Sequence, residues 1–203
     1  MVSQEKQAII SLHERKFFAA LTESVLEKPV LSVWMILIPF LIIDFMQRQK
    51  KYRQWRDTFQ QGLLFTKLQA LEAAAALVAG LPAATVEAEL VGKVRRNPLA
   101  EAPLQRLYQA QLNEICLLTK HYCRLLSTNA FDYAAMARAA YRPEEFEVFL
   151  IELAHREQIV NEAAIDLNSE PDLIGREMIK RLEKETFLKR KSEKEQIFAC
   201  NRA

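Results

Sequence analysis

From Pro29 to Ile43 the chain reads Pro-Val-Leu-Ser-Val-Trp-Met-Ile-Leu-Ile-Pro-Phe-Leu-Ile-Ile without a charge, and between Lys28 and Arg48 the only charged residue is Asp44. Such a stretch has to leave water, so the rest of the chain must supply a core around it or dock it in a bilayer. As a helix, the 19 residues between Lys28 and Arg48 span roughly 28 Å, close to the thickness of a hydrocarbon layer. The ten Val, Leu, Ile and Phe residues of 29–43 favour insertion by about 3–6 kcal/mol. An aspartate at the bilayer centre costs about 3 kcal/mol. Asp44 lies near the end of the run, four residues before Arg48, where it can reach the interface as half of a helical ion pair.

A basic collar follows: Arg48, Lys50, Lys51, Arg53 and Arg56. Cations beside an apolar segment are drawn to anionic cytoplasmic lipid and keep that side inside. Trp34, Tyr52 and Trp55 suit the interface. Pro39, inside the run, removes a helical hydrogen bond. It therefore reads as the kink of a single span or the apex of a re-entrant hairpin. The alternative is a soluble helical oligomer that buries 29–47 between subunits.

The remaining sequence has helical spacing. Ile9, Ile10, Leu12, Phe17, Phe18, Leu21 and Val25 mark a helix over 4–27 that ends at Lys28-Pro29. Tyr52, Trp55, Phe59, Leu63, Thr66, Ala70, Ala73 and Leu77 alternate three and four up to the stop signal Gly80-Leu81-Pro82. A short helix reaches Arg96. Helices over 103–127, 130–141 and 143–167 follow, and a last one starts after Ser169-Glu170-Pro171-Asp172. Its stripe, Ile174, Met178, Leu182 and Leu188, then fades, so the tail from 191 to 203 reads as frayed. No strand pattern and no internal repeat are visible.

Composition removes whole classes. The 4 glycines are at least twelve positions apart, which excludes the clustered glycines of a dinucleotide loop or P-loop. The three cysteines, Cys116, Cys123 and Cys200, are too few and too far apart for a disulfide framework and read as reduced thiols packed into helix contacts. The first 28 residues balance four cations against four anions, unlike an export signal. Net charge is +2, and the basic Lys189-Arg190-Lys191 is interleaved with acids and lacks an aromatic platform, so no nucleic-acid partner is expected. The charge is segregated: residues 48–80 carry six cations and two anions, whereas 131–168 carry eight anions and three cations. The basic part would face a membrane and the acidic part point away.

One constellation resembles a metal site. Glu152 and His155 form a Glu-x-x-His pair, half of a carboxylate-bridged di-iron set. No second such pair exists, although Glu114 and His121 on a facing helix could contribute. Glu157 falls inside the apolar stripe of its helix, and a buried carboxylate needs a partner. Arg138 and Arg142 are the nearest candidates in sequence. Neither a metalloprotease helix nor a nucleophile elbow is present.

The pattern predicts an all-α protein. An amphipathic helix (1–28) precedes a membrane-anchor segment (29–47), transmembrane or re-entrant, marked by Trp34, Pro39 and Asp44. A multi-helix cytoplasmic bundle (48–190) and the tail (191–203) follow. The expected role is a non-enzymatic adaptor or scaffold on the cytoplasmic face of the plasma membrane, binding anionic lipid and a protein partner, with no cofactor implied. The contrasting expectation is a helical metalloenzyme built on Glu152, His155, Glu114 and His121.

Overall fold

A computed structural model describes residues 2–25, 39–95, 101–167 and 173–199, and every secondary-structure element among them is helical. These are α1 (Val2–Val25), α2 (Pro39–Val78), α3 (Ala83–Val94), α4 (Ala102–Leu126), α5 (Tyr133–Ala140), α6 (Pro143–Ile165) and α7 (Leu173–Ala199). Their ends follow local chemistry. Gly80 adopts φ +93°, and the amides of Gly80 and Leu81 turn back to Leu77 and Ala76, closing α2 with a left-handed glycine cap. The Asp132 carboxylate accepts the Ala135 amide at 2.8 Å and starts α5. Pro143 occupies the first turn of α6, where its missing N–H costs nothing.

Five helices close into a ring in the order α1, α2, α4, α6, α7 and back to α1. Cross-contacts fix their directions. Thr66 bonds Glu114, Thr119 bonds the Ala70 carbonyl and Cys123 approaches the Ala74 carbonyl, so α2 and α4 run parallel. The connection α3, packed on both, makes that parallel pairing possible. Glu157 meets Arg190 and Glu147 meets Lys194, so α7 is antiparallel to α6. His13 meets Glu193 and Ser24 receives Arg181, so α1 is antiparallel to α7. The short α5 packs on α4, α7 and α1 at one end of the ring, called here the upper end.

The apolar interior is divided. A large upper core gathers Ile10, Ala70, Leu71, Ile115, Leu118, Tyr122, Met136, Phe146 and Ile197 among others. A smaller lower core joins Phe18, Leu21, Val25, Leu64 and Leu182, from α1, α2 and α7. Between the two cores the inward positions are polar.

Three expectations change. No helix among the described residues is long and apolar enough to cross a membrane. The second half of the expected anchor, Pro39–Gln47, is the first part of α2, about 13 Å of helix, and Arg48 follows at once. Pro39 is the first described residue of α2, so the expected kink, which depends on the residues before it, falls partly outside the described residues. The first half, with Trp34, lies outside the described residues. Next, α2 crosses the expected boundary at 47/48 unbroken, a helix of 40 residues about 60 Å long. Asp44, Arg48, Lys50, Lys51, Arg53 and Arg56 all lie on it. Last, α7 extends to Ala199, and Ile197 is buried, where 191–203 reads as frayed. The apolar spacing fades near Leu188 because the inward positions of the next turns are Thr186 and Arg190, both buried.

Candidate functional site

Each helix of the ring sends one charged side chain into the level between the cores: Glu14 from α1, Lys67 from α2, Glu114 from α4, Glu157 from α6 and Arg190 from α7. All sit at helical spacing from apolar neighbours, as Ile10-Glu14-Phe18 and Leu63-Lys67-Leu71 illustrate. The Lys67 ammonium lies 2.5 Å from Glu114 Oε1 and 2.7 Å from Glu157 Oε1. Thr66 donates to the same Glu114 oxygen at 2.7 Å. The Arg190 fork grips both oxygens of Glu157, at 2.5 and 2.7 Å, the bidentate geometry that favours arginine for buried carboxylates. Tyr122 donates to Glu14 at 2.9 Å. Phe18 lies under the Lys67 ammonium and Phe17 under the Arg190 guanidinium.

The electrostatics follow from burial. The side chains of Lys67 and Glu114 are only 5% and 2% exposed. Burial alone would raise Glu157, but Arg190 and Lys67 outweigh it and hold its carboxyl at about 2. Burial works against the Lys67 ammonium, and Glu114 and Glu157 more than compensate, so its pKa rises. Lys67, Arg190 and Glu157 are thus held in their ionised forms at neutral pH. Burial raises the half-buried Glu14 against the charges of His13 and Arg190. A buried ionic set of this kind adds little over an apolar filling, yet losing one partner costs about 3–5 kcal/mol. The layer therefore fixes which helix faces which more than it adds stability.

Below this level the smaller core joins α1, α2 and α7, and the ring holds an opening lined from all five helices. The opening is a cleft of about 610 Å³, within the usual ~300–1,000 Å³ of small-molecule sites. Its walls include Phe18, Phe59, Leu63, Leu107, Val160 and Leu182, and Lys67, Glu114 and Glu157 form its floor. Ile151 and Phe187 stand at its rim, 60% and 56% exposed. A five-helix ring encloses more space than four helices do.

The residues singled out by sequence are dispersed. Glu114 is engaged by Lys67 and Thr66. His121 is buried, with Nδ1 2.9 Å from the Tyr141 hydroxyl and its ring stacked 4.1 Å from Phe149. Burial first, then the charges of His13, Arg190 and Arg124, push His121 down to about 3, so it is a neutral imidazole. Glu152 is exposed and pairs with Arg156 at 3.3 Å, while His155 lines the cleft. Among the described residues no group of three His, Cys, Asp or Glu could hold a metal ion. Glu157 is held by Lys67 and Arg190, whereas Arg138 reaches the Ile197 carbonyl and Arg142 pairs with Glu145. Cys116 is exposed and not a packed thiol, Cys123 is half-buried, and Cys200 lies outside the described residues. In the collar, Arg56 pairs with the adjacent Asp57 at 3.3 Å. The side chains of Pro39, Asp44, Arg48, Lys50, Lys51 and Arg53 are outside the described set.

The sequence reading does not place the buried Lys67 and Arg190 or the half-buried Glu14 inside the bundle. The signal was present: each stands four residues from inward-facing neighbours, as Glu157 does. Comparison with protein-family models, with curated proteins and with solved structures finds no match to this chain.

Proposed function

We propose that the chain is a non-enzymatic helical adaptor held at the cytoplasmic face of an anionic membrane by residues 29–47 and the collar Arg48–Arg56, with the five-helix bundle presented to a protein partner. The carrying observation is the continuity of α2 from Pro39 to Val78. One helix begins with Phe40, Leu41, Ile42, Ile43, Phe45 and Met46, continues through five cations and ends as a wall of both cores. The apolar start of α2, residues 39–47, suits a segment that enters or lies on the bilayer, single-span or re-entrant. Attraction of the collar amounts to at most about 1 kcal/mol per cation and is screened within about 8 Å at physiological salt.

The test is co-sedimentation of the full chain with vesicles of phosphatidylcholine alone or mixed with phosphatidylserine. Binding should require the anionic lipid, weaken with salt, and fall at least tenfold when Arg48, Lys50, Lys51, Arg53 and Arg56 are all changed to Gln. Equal binding by the Gln variant, or no binding to either vesicle at low salt, overturns the membrane reading.

A further inference from the structure

The cleft beneath the ionic layer belongs to no part of the membrane reading, and its chemistry is one-sided. The charged side chains facing it are the carboxylates of Glu114, Glu157 and Glu183 and a single ammonium, Lys67. Arg190 is screened behind Glu157 and lines a separate, smaller cavity. Lys67 is shared between two carboxylates, so an incoming anion would find its positive charge already matched and two negative oxygens beside it.

The two buried hydroxyls of the lining point the same way. The Thr66 hydroxyl spends its proton on Glu114 and the Thr186 hydroxyl spends its own on the Leu182 carbonyl. Both then offer only lone pairs to the cleft they line. Glu114 receives Thr66 and Lys67, both on Oε1, and a carboxylate with two such bonds keeps further lone pairs to offer. An acceptor of this kind at the end of an apolar passage suits a cationic donor. The walls take an apolar body, and a volume of about 610 Å³ admits a small molecule but not a partner helix about 10 Å across.

We propose that the cleft binds a small organic cation, a primary amine on an apolar body, with the ammonium at the Glu114 carboxylate and the body between Phe18, Phe59, Leu63 and Leu182.

The probes are n-octylammonium, n-octanol and n-octanoate, which share one apolar body, titrated calorimetrically into the full chain without lipid. Octylammonium should bind at least tenfold more tightly than octanol, and octanoate should bind more weakly than octanol. Two variants locate the site. Glu114→Gln should bring octylammonium within about threefold of octanol. Because losing that buried charge could unfold the bundle, Gly62→Leu gives an independent reading. Gly62 lines the cleft, and a Cβ there meets nothing within 4 Å, so the longer side chain can fill the passage while favouring helix. It should remain folded by circular dichroism and lose octylammonium binding at least tenfold. Equal affinity for all three probes, a preference for octanoate, no binding of octylammonium, or unchanged binding in folded Gly62→Leu each overturns the proposal.

Discussion

At the level of single residues, the bundle is specified by charges in places that normally hold leucine. Glu14, Lys67, Glu114, Glu157 and Arg190 occupy inward positions on five helices, and each can be satisfied only by its own set of neighbours. Glu157 was legible in sequence as a buried carboxylate because apolar residues surround it in the helical register. Its true partners were not, because Lys67 and Arg190 are 90 and 33 positions away and helical spacing carries no information about which helices meet. His121 gives a sharper consequence. Its folded pKa of about 3 lies below its ordinary 6.5, so between those values the unfolded chain binds a proton that the folded chain refuses. The resulting share of stability is fully present above about 6.5 and is lost as pH falls towards about 3. Its slope is about 1.4 kcal/mol per pH unit. Urea unfolding across that window should show His121→Phe losing one proton's worth of pH dependence relative to the parent. Identical slopes would mean that His121 is protonated inside the fold.

At the level of elements, helix type and approximate position could be read directly, because the three-and-four spacing, Gly80-Leu81-Pro82 and Pro143 act locally. What failed was the reading of ends. The expected boundary at 47/48 falls inside α2, which runs unbroken through the basic residues. The tail reads as frayed in sequence because its inward residues, Thr186 and Arg190, break the apolar count; polar side chains keep the helix buried when the opposing charge is supplied from α6. The long α2 contains one weak point, Gly62, whose missing side chain leaves open space. Gly62→Ala should raise stability by up to about 1 kcal/mol, visible as a higher thermal midpoint. A lower midpoint would show that the helix needs the freedom of glycine at this position.

At the level of the whole molecule, an asymmetry links architecture to function. The upper end of the ring is sealed by α5 and the large core, while the lower half contains the cleft. The apolar and basic half of α2 lies beyond Phe59 on that same lower side. The segregation of charge read from sequence persists, with cations on the first half of α2 and the acidic face of α6 on the bundle. The ring closure could not be read from sequence, since it depends on α2 and α4 running parallel through the short connection α3. The central claim is that the first half of α2 meets an anionic bilayer while the bundle stays intact. Hydrogen exchange of the full chain, with and without phosphatidylserine-containing vesicles, measures this segment by segment. The account predicts slower exchange over residues 39–56 on adding vesicles and unchanged exchange in the buried middle of α4. Unchanged exchange over 39–56, or loss of protection in α4, would contradict it.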